Sequence, residues 1–155
     1  MKKIVLVRCG AHSRRSGRLT DRGNRQVVKL AEKLRPAIQK PALILASPLS
    51  RAIDAASALA TALHLTFKDK EHARRALQTC DGRLLDPAAI VDLIRDQADR
   101  CETLILVGHM ELVQDFPGWL ASLLFDQPGC MKGEKNLHAQ YALVVDCDSE
   151  TTQIV

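Results

Sequence analysis

Five polar side chains lie at the end of short apolar runs, or within one helical turn of it: Arg8, Cys9, Ser47, Arg51 and His109. Two guanidinium groups form a bidentate clamp that matches phosphate or carboxylate. An imidazole beside such a clamp can donate to a phosphate oxygen or transfer a proton. A thiol, once ionised, is a nucleophile. These residue types predict a phosphoryl site, provided that the fold brings the apolar runs side by side.

The apolar runs before these residues are predicted to be strands of one sheet. Residues 4–7, 42–46 and 103–107 are continuous runs rich in Val, Ile and Leu, which is typical of strands buried on both faces. In an open α/β sheet, ligands bind beyond the carboxyl ends of the strands. The five polar residues therefore follow the strands at the edge where a ligand site is expected.

Strands and helices alternate along the chain. Further strands are predicted at residues 65–68, 141–146 and 151–155, helices are predicted to begin near residues 20, 47, 86 and 116, and residues 127–136 are predicted to be a loop. Trp119 is predicted to lie on the core face of the last helix. The alternation predicts one α/β domain over residues 1–155, a three-layer α/β/α sandwich with a mainly parallel central sheet.

The composition is that of a soluble globular protein, with 46% apolar and 26% charged residues and a net charge of +4. Five cysteines at wide spacings, with no Cys-x-x-Cys pair, favour neither a disulfide framework nor a zinc site. No apolar run is long enough for a signal peptide or a membrane helix. We therefore expect a reduced, cytoplasmic protein with no metal, cofactor, nucleic-acid or membrane partner.

Four motifs then occur in a fixed order: LVRCG at residues 6–10, LTDRG at residues 19–23 followed by Gln26, ASPLSRA at residues 46–52 and VGH at residues 107–109. Together they resemble the histidine phosphatase superfamily, whose fold is phosphoglycerate-mutase-like, and most closely its small phosphohistidine phosphatase branch. The resemblance implies metal-independent hydrolysis of a phosphomonoester or phosphoramidate through a covalent intermediate. It also implies a phosphate pocket made of Arg8, Arg51 and His109, with His109 stabilising the charge of the transition state.

The sequence departs from that family at the nucleophile. In the family, the residue after the first arginine is the histidine that accepts the phosphoryl group, and here it is Cys9. The family's acidic residue would fall at Thr79, although the small branch often manages without it. Asp81 or Glu71 is a possible substitute proton donor.

Three interpretations of Cys9 follow. Nearby guanidinium groups are expected to lower the pKa of its thiol, which would allow a cysteine nucleophile. Its sulfur, however, reaches less far from the backbone than an imidazole nitrogen, and small misplacements cost much rate. We therefore predict a protein that binds a phosphorylated small molecule or a phosphohistidine protein with weak or absent hydrolysis. A wholly non-catalytic binding protein is an alternative.

A second phosphatase signature overlaps the first motif. Residues 9–16 also fit the cysteine, five residues, arginine, serine pattern of cysteine-based tyrosine phosphatases. In those enzymes the loop runs directly into a helix N-terminus. Here Gly17 interrupts, and the best helix cap is Thr20 or Asp21. The basic cluster at residues 14–18 fits a solvated loop as well as it fits a phosphate-facing one, and His12 in the same loop is expected to be solvated.

Overall fold

A computed structural model describes residues 1–126, 131, 138 and 140–155 of the chain. The strands are β1 (Lys3–Arg8), β2 (Ala42–Ala46), β3 (Thr79–Cys80), β4 (Arg83–Leu84), β5 (Thr103–Gly108), β6 (Ala142–Asp146) and β7 (Thr151–Ile154). The helices are α1 (Asp21–Leu34), α2 (Ser50–Leu63), α3 (Asp69–His72), α4 (Pro87–Gln97), α5 (Met110–Gln114) and α6 (Phe116–Leu123). Two short 3-10 segments cover Arg35–Ala37 and Arg75–Leu77.

Five strands form the central sheet in the order β2-β5-β1-β6-β7. β5 pairs in parallel with both β1 and β2, whereas β6 is antiparallel to β1 and to β7. Four of the five strands therefore point in the same direction, and the predicted, mainly parallel sheet is confirmed. The register pairs Arg8 with Gly108 and Ala46 with Val107, so β1, β2 and β5 end flush at one edge.

The sheet is covered by helices on both faces, as the sequence predicts. Alternate strand residues point to opposite faces because side chains in a strand alternate. Val5 and Ile105 belong to the core cluster that includes α1 and α2, whereas Ile4 and Leu104 belong to the cluster that includes α4, α5 and α6. The architecture is a three-layer α/β/α sandwich.

Some predicted elements differ from the structure. Residues 65–68 do not form a strand, because Leu65 and Phe67 pack against the α1 and α2 side of the core instead of joining the sheet. The helix expected near residue 47 begins at Ser50. Trp119 is 46% exposed, and it is Phe116 and Leu120 that α6 buries. Apart from Met131, the predicted loop at residues 127–136 lies outside the described residues.

Within the described part of the chain, no helix is both long and apolar enough to cross a membrane.

Candidate functional site

The residues singled out from the sequence meet at the flush edge of the sheet. Arg8, Cys9, Arg51 and His109 all line one cavity of about 520 Å³. Main-chain hydrogen bonds join the strand ends beside the cavity. The Cys9 amide donates to the Gly108 carbonyl and the Ser47 amide donates to the Val107 carbonyl, each over 2.9 Å. The end of β1 therefore places one guanidinium group and the thiol at this edge, and the residue after β5 places the imidazole there. The first turn of α2 supplies the other guanidinium group.

His109 is held by contacts on both ring nitrogens. Its Nε2 lies 3.1 Å from the Ser47 hydroxyl, and its Nδ1 accepts a hydrogen bond of 3.3 Å from Arg51 Nε. Because Arg51 can only donate, we assign the ring proton to Nε2, which donates to Ser47. Burial, followed by the charges of Arg51 and His12, lowers the pKa of His109 to about 4. The imidazole is therefore neutral at physiological pH, with the lone pair of Nδ1 directed to Arg51.

Cys9 is buried, and its sulfur lies 3.9 Å from His109 Nδ1. Arg51 and Arg8 lower the pKa of the thiol, but burial has the larger effect and the net pKa is raised. The expected lowering of this pKa is thus wrong in direction. The free-energy cost of removing a thiolate from water is larger here than the stabilisation that the two partly solvated guanidinium groups give it.

The loop between β1 and α1 is fixed by α1 itself. The Thr20 hydroxyl accepts from the Gly23 amide at 3.2 Å, which caps the helix, and donates to the Ala11 carbonyl at 2.9 Å. The Gln26 side chain accepts from the Ala11 amide at 3.0 Å. At Gly10, a Cβ would lie 2.7 Å from the Gly23 carbonyl oxygen, so only glycine permits this approach. The LTDRG motif therefore positions the backbone that follows Cys9.

Five further residues with polar or charged side chains line the cavity: His12, Arg22, Gln26, Glu111 and His138. The sequence analysis did not assign Arg22 or His138 to the site. Arg22 was accessible to prediction, since it precedes the close-packed Gly23 at the start of α1, whereas nothing in the local sequence marks His138. One oxygen of Glu111, Oε2, is buried without a hydrogen-bond partner in the described part of the chain.

The suggested substitute proton donors lie elsewhere. Neither Asp81 nor Glu71 lines the cavity. Asp81 is exposed at the β3–β4 turn, and Glu71 forms an ion pair of 3.0 Å with Lys68. Thr79, in β3, does not line the cavity either. Within the residues described, Glu111 is the carboxylate that borders the site.

The tyrosine-phosphatase signature does not form a phosphate loop. Arg15 is exposed and does not line the cavity. Residues 13–18 instead fold on themselves, with the Ser13 amide bonded to the Arg18 carbonyl at 2.9 Å. Arg18 Nε pairs with Asp54 at 2.7 Å, away from Cys9. α1 begins only at Asp21, twelve residues after Cys9, so the loop that follows the thiol does not run directly into a helix N-terminus.

Among the described residues, no group of three or more His, Cys, Asp or Glu side chains has the arrangement to hold a metal ion.

Comparison with known proteins identifies the family to which the site motifs belong. A sequence-family model described as histidine phosphatase superfamily (branch 1) matches residues 6–82, a span that contains three of the four motifs. The chain belongs to the histidine phosphatase superfamily. No curated protein sequence matches this member of the superfamily significantly.

Solved structures of phosphatases share the fold over nearly the whole chain. The protein histidine phosphatase SixA, solved in complex with tungstate, superposes with a TM-score of 0.69 at 17% identity, covering 99% of this chain and 94% of that one. A mycobacterial glucosyl-3-phosphoglycerate phosphatase gives 0.67 at 16% identity, with 100% and 97% covered. A phosphoserine phosphatase from Entamoeba histolytica, solved as a histidine-to-alanine variant bound to phosphoserine, gives 0.63 at 13%, with 100% and 95% covered.

Proposed function

We propose that this protein binds the phosphoryl group of a phosphorylated small molecule or a phosphohistidine protein, and hydrolyses it weakly or not at all. The observation that carries the proposal is a buried thiol of raised pKa at Cys9, in a cavity that Arg8, Arg51 and His109 also line. Superfamily membership supports phosphatase-like chemistry at this site. The buried, protonated thiol at Cys9 argues against efficient turnover.

The two guanidinium groups would hold the phosphoryl oxygens. Each can donate two parallel hydrogen bonds to an oxyanion, and together they offset its charge. His109 would complete the site through Nδ1, the nitrogen nearer to Cys9 and Arg51. A phosphate beside this ring favours the imidazolium form and opposes the burial that keeps the ring neutral. Binding should therefore take up a proton, and the protonated ring can then donate to a phosphoryl oxygen.

Turnover would need a nucleophile that the free site does not supply. The thiol must lose its proton before it can attack phosphorus. His109 Nδ1 lies 3.9 Å away, but a group with a pKa of about 4 is a weak base at neutral pH. These properties favour binding over catalysis, and they disfavour the alternative in which Cys9 is the nucleophile. The predicted cytoplasmic location and the single domain stay predictions.

The test compares wild type with Cys9→His, Cys9→Ser and Arg51→Ala. Calorimetry with inorganic phosphate measures binding, and hydrolysis of an aryl phosphate and of a phosphohistidine peptide measures turnover. We expect wild type and Cys9→Ser to bind phosphate with little hydrolysis, Arg51→Ala to bind at least tenfold more weakly, and Cys9→His to gain activity.

Two results would contradict the proposal. Efficient hydrolysis by wild type that Cys9→Ser abolishes would make the thiolate the nucleophile. Phosphate binding that Arg51→Ala leaves unchanged would remove the cavity from the function altogether. Lys40→Gln, at the opposite end of the sheet from the site, is the control for a general loss of positive charge.

A further inference from the structure

A strip of cations extends along α1 from the mouth of the phosphoryl cavity. The strip consists of Arg22, Arg25 and Lys29, all of them exposed. Their spacings of three and four residues place them on one face of the helix, since residues so spaced are neighbours on a helix surface. At 1.5 Å per residue, the strip is about 10 Å long.

The strip lines a second cavity that is continuous with the first. This second cavity has a volume of about 390 Å³, and Arg22, Arg25 and Lys29 line it together with Gln26, His138 and Gln140. Arg22, Gln26 and His138 also line the phosphoryl cavity. A ligand whose phosphoryl group lies against Arg8 and Arg51 would therefore pass from one cavity into the other along α1.

In the described part of the chain, no acidic side chain balances the charge of the strip. No carboxylate of the described residues lines the second cavity, and none of the described ion pairs involves a cation of the strip. The neighbouring groove between α1 and α2, of about 630 Å³, is different: there Arg18 pairs with Asp54, and Asp21 adds a second acid. Adjacent cations repel one another, and an anion placed among them relieves that repulsion.

We propose that the strip is a second anion subsite, which selects small phosphorylated ligands that carry a further phosphate or carboxylate within about 10 Å of the bound phosphoryl group. The inference rests on the proposed function, because the first phosphoryl group must occupy the cavity lined by Arg8 and Arg51. It narrows the ligand class from any phosphorylated compound to a doubly anionic one. Arg22, which borders both cavities, would contact both anionic groups.

Three synthetic ligands with the same six-carbon chain test this subsite. They are hexyl monophosphate, hexane-1,6-diyl bisphosphate and 6-(phosphonooxy)hexanoate, with binding measured by calorimetry at fixed ionic strength. For wild type we expect at least one of the doubly anionic ligands to bind roughly tenfold more tightly than hexyl monophosphate, as two solvent-exposed charge contacts would give. Which of the two gains more assigns the subsite to phosphate or to carboxylate.

The decisive variant is the double substitution Arg25→Gln with Lys29→Gln, which leaves the phosphoryl cavity unchanged. It should remove the advantage of the doubly anionic ligands and alter hexyl monophosphate binding by less than about twofold, because exposed charges beyond a Debye length are screened. The matched control, Lys40→Gln with Arg100→Gln, removes the same charge at the opposite end of the sheet, where both residues are exposed. It should leave the advantage intact.

The possible failures are separable. If hexyl monophosphate binds and depends on Arg51 but a second anion adds nothing, the subsite is wrong and the proposed function stands. If the two double variants lose the affinity advantage of the doubly anionic ligands equally, that advantage is a general effect of net charge, and the proposed subsite is overturned. If an acidic phosphopeptide alone loses affinity in the strip variant, the partner is a protein and the small-molecule subsite is wrong. If Arg51→Ala leaves monophosphate binding unchanged, the proposed function fails as well.

Discussion

At the scale of single residues, His109 and Cys9 show how burial competes with charge. The two groups lie 3.9 Å apart, and the Arg51 guanidinium disfavours the imidazolium and favours the thiolate. Burial disfavours the charged form of either group. For His109 the two effects act in the same direction, and for Cys9 they oppose each other and burial dominates. The free site is consequently a neutral thiol and a neutral imidazole beside two cations.

The lowered pKa of His109 predicts a loss of stability in mild acid. The pKa of His109 is about 4 in the folded protein, against an ordinary value of 6.5. Between pH 6.5 and pH 4, the His109 side chain therefore binds a proton in the unfolded chain but not in the folded one. The free energy of unfolding is therefore unaffected by this group above pH 6.5. It falls by about 1.4 kcal/mol per pH unit as the pH decreases towards 4, a loss of about 3 kcal/mol in all.

Urea unfolding in phosphate-free buffer at pH 7.5, 6.0 and 4.5 measures this effect. His109→Gln, which cannot titrate, should lose less stability over that range than wild type does. Parallel losses in the two proteins would show that His109 is not buried in its neutral form. His64→Gln, an exposed histidine at the end of α2, is the control and should behave as wild type.

At the scale of elements, the packing of the start of α1 against the loop after β1 determines the shape of the site. A Cβ on Gly23 would lie 2.1 Å from the Ala11 carbonyl oxygen, a contact that only a main-chain shift can relieve. We expect Gly23→Ala to lower the free energy of unfolding by about 2 kcal/mol or more and to weaken phosphate binding, because the shift displaces the backbone beside Cys9. Chemical denaturation and calorimetry on the same samples measure both.

Gly118, in α6, is the matched control for that substitution. An added Cβ there meets no atom within 4 Å. Alanine is the better helix former, so Gly118→Ala should raise the free energy of unfolding by roughly 0.5–1 kcal/mol and leave phosphate binding unchanged. Equal effects of the two substitutions would mean that the contact between Gly23 and Ala11 carries no constraint.

At the scale of the whole molecule, anion binding should stabilise the fold. Arg8, Arg51 and His109 reach the cavity from β1, α2 and the end of β5, so they are brought together only in the folded chain. Inorganic phosphate at 100 times its Kd should therefore raise the free energy of unfolding by about 2.7 kcal/mol. Thermal unfolding with and without phosphate, at ionic strength matched with chloride, measures the shift in Tm.

Arg51→Ala should show a much smaller shift under the same conditions. If chloride raises the Tm as much as phosphate does, the stabilisation comes from general screening of the net charge of +4 and not from a specific site. If phosphate stabilises the Arg51→Ala variant as fully as wild type, the anion binds elsewhere on the protein.

The sequence alone was sufficient for the strands that build the site. Continuous apolar runs at β1, β2 and β5 identify buried parallel strands, and the residues directly after such strands must emerge at one edge of the sheet. The cap at Thr20 follows equally from local chemistry, since a hydroxyl before a helix accepts from its free amides. Periodicity was misleading for α6: residues three apart are neighbours on a helix surface, so the spacing assigns Trp119 to the same face as Phe116, yet Trp119 is exposed.

The tertiary structure decided what depends on contacts between distant segments. The Ser47 partner of His109 lies 62 residues away in the chain, and the inclusion of Arg22 and His138 in the cavity likewise joins separate parts of it. The raised pKa of Cys9 could not be foreseen from its arginine neighbours, because burial is a property of the packed molecule. Local sequence determines which groups follow each strand. Packing determines which groups meet and in what charge state, because solvation and distance are fixed only when the layers assemble.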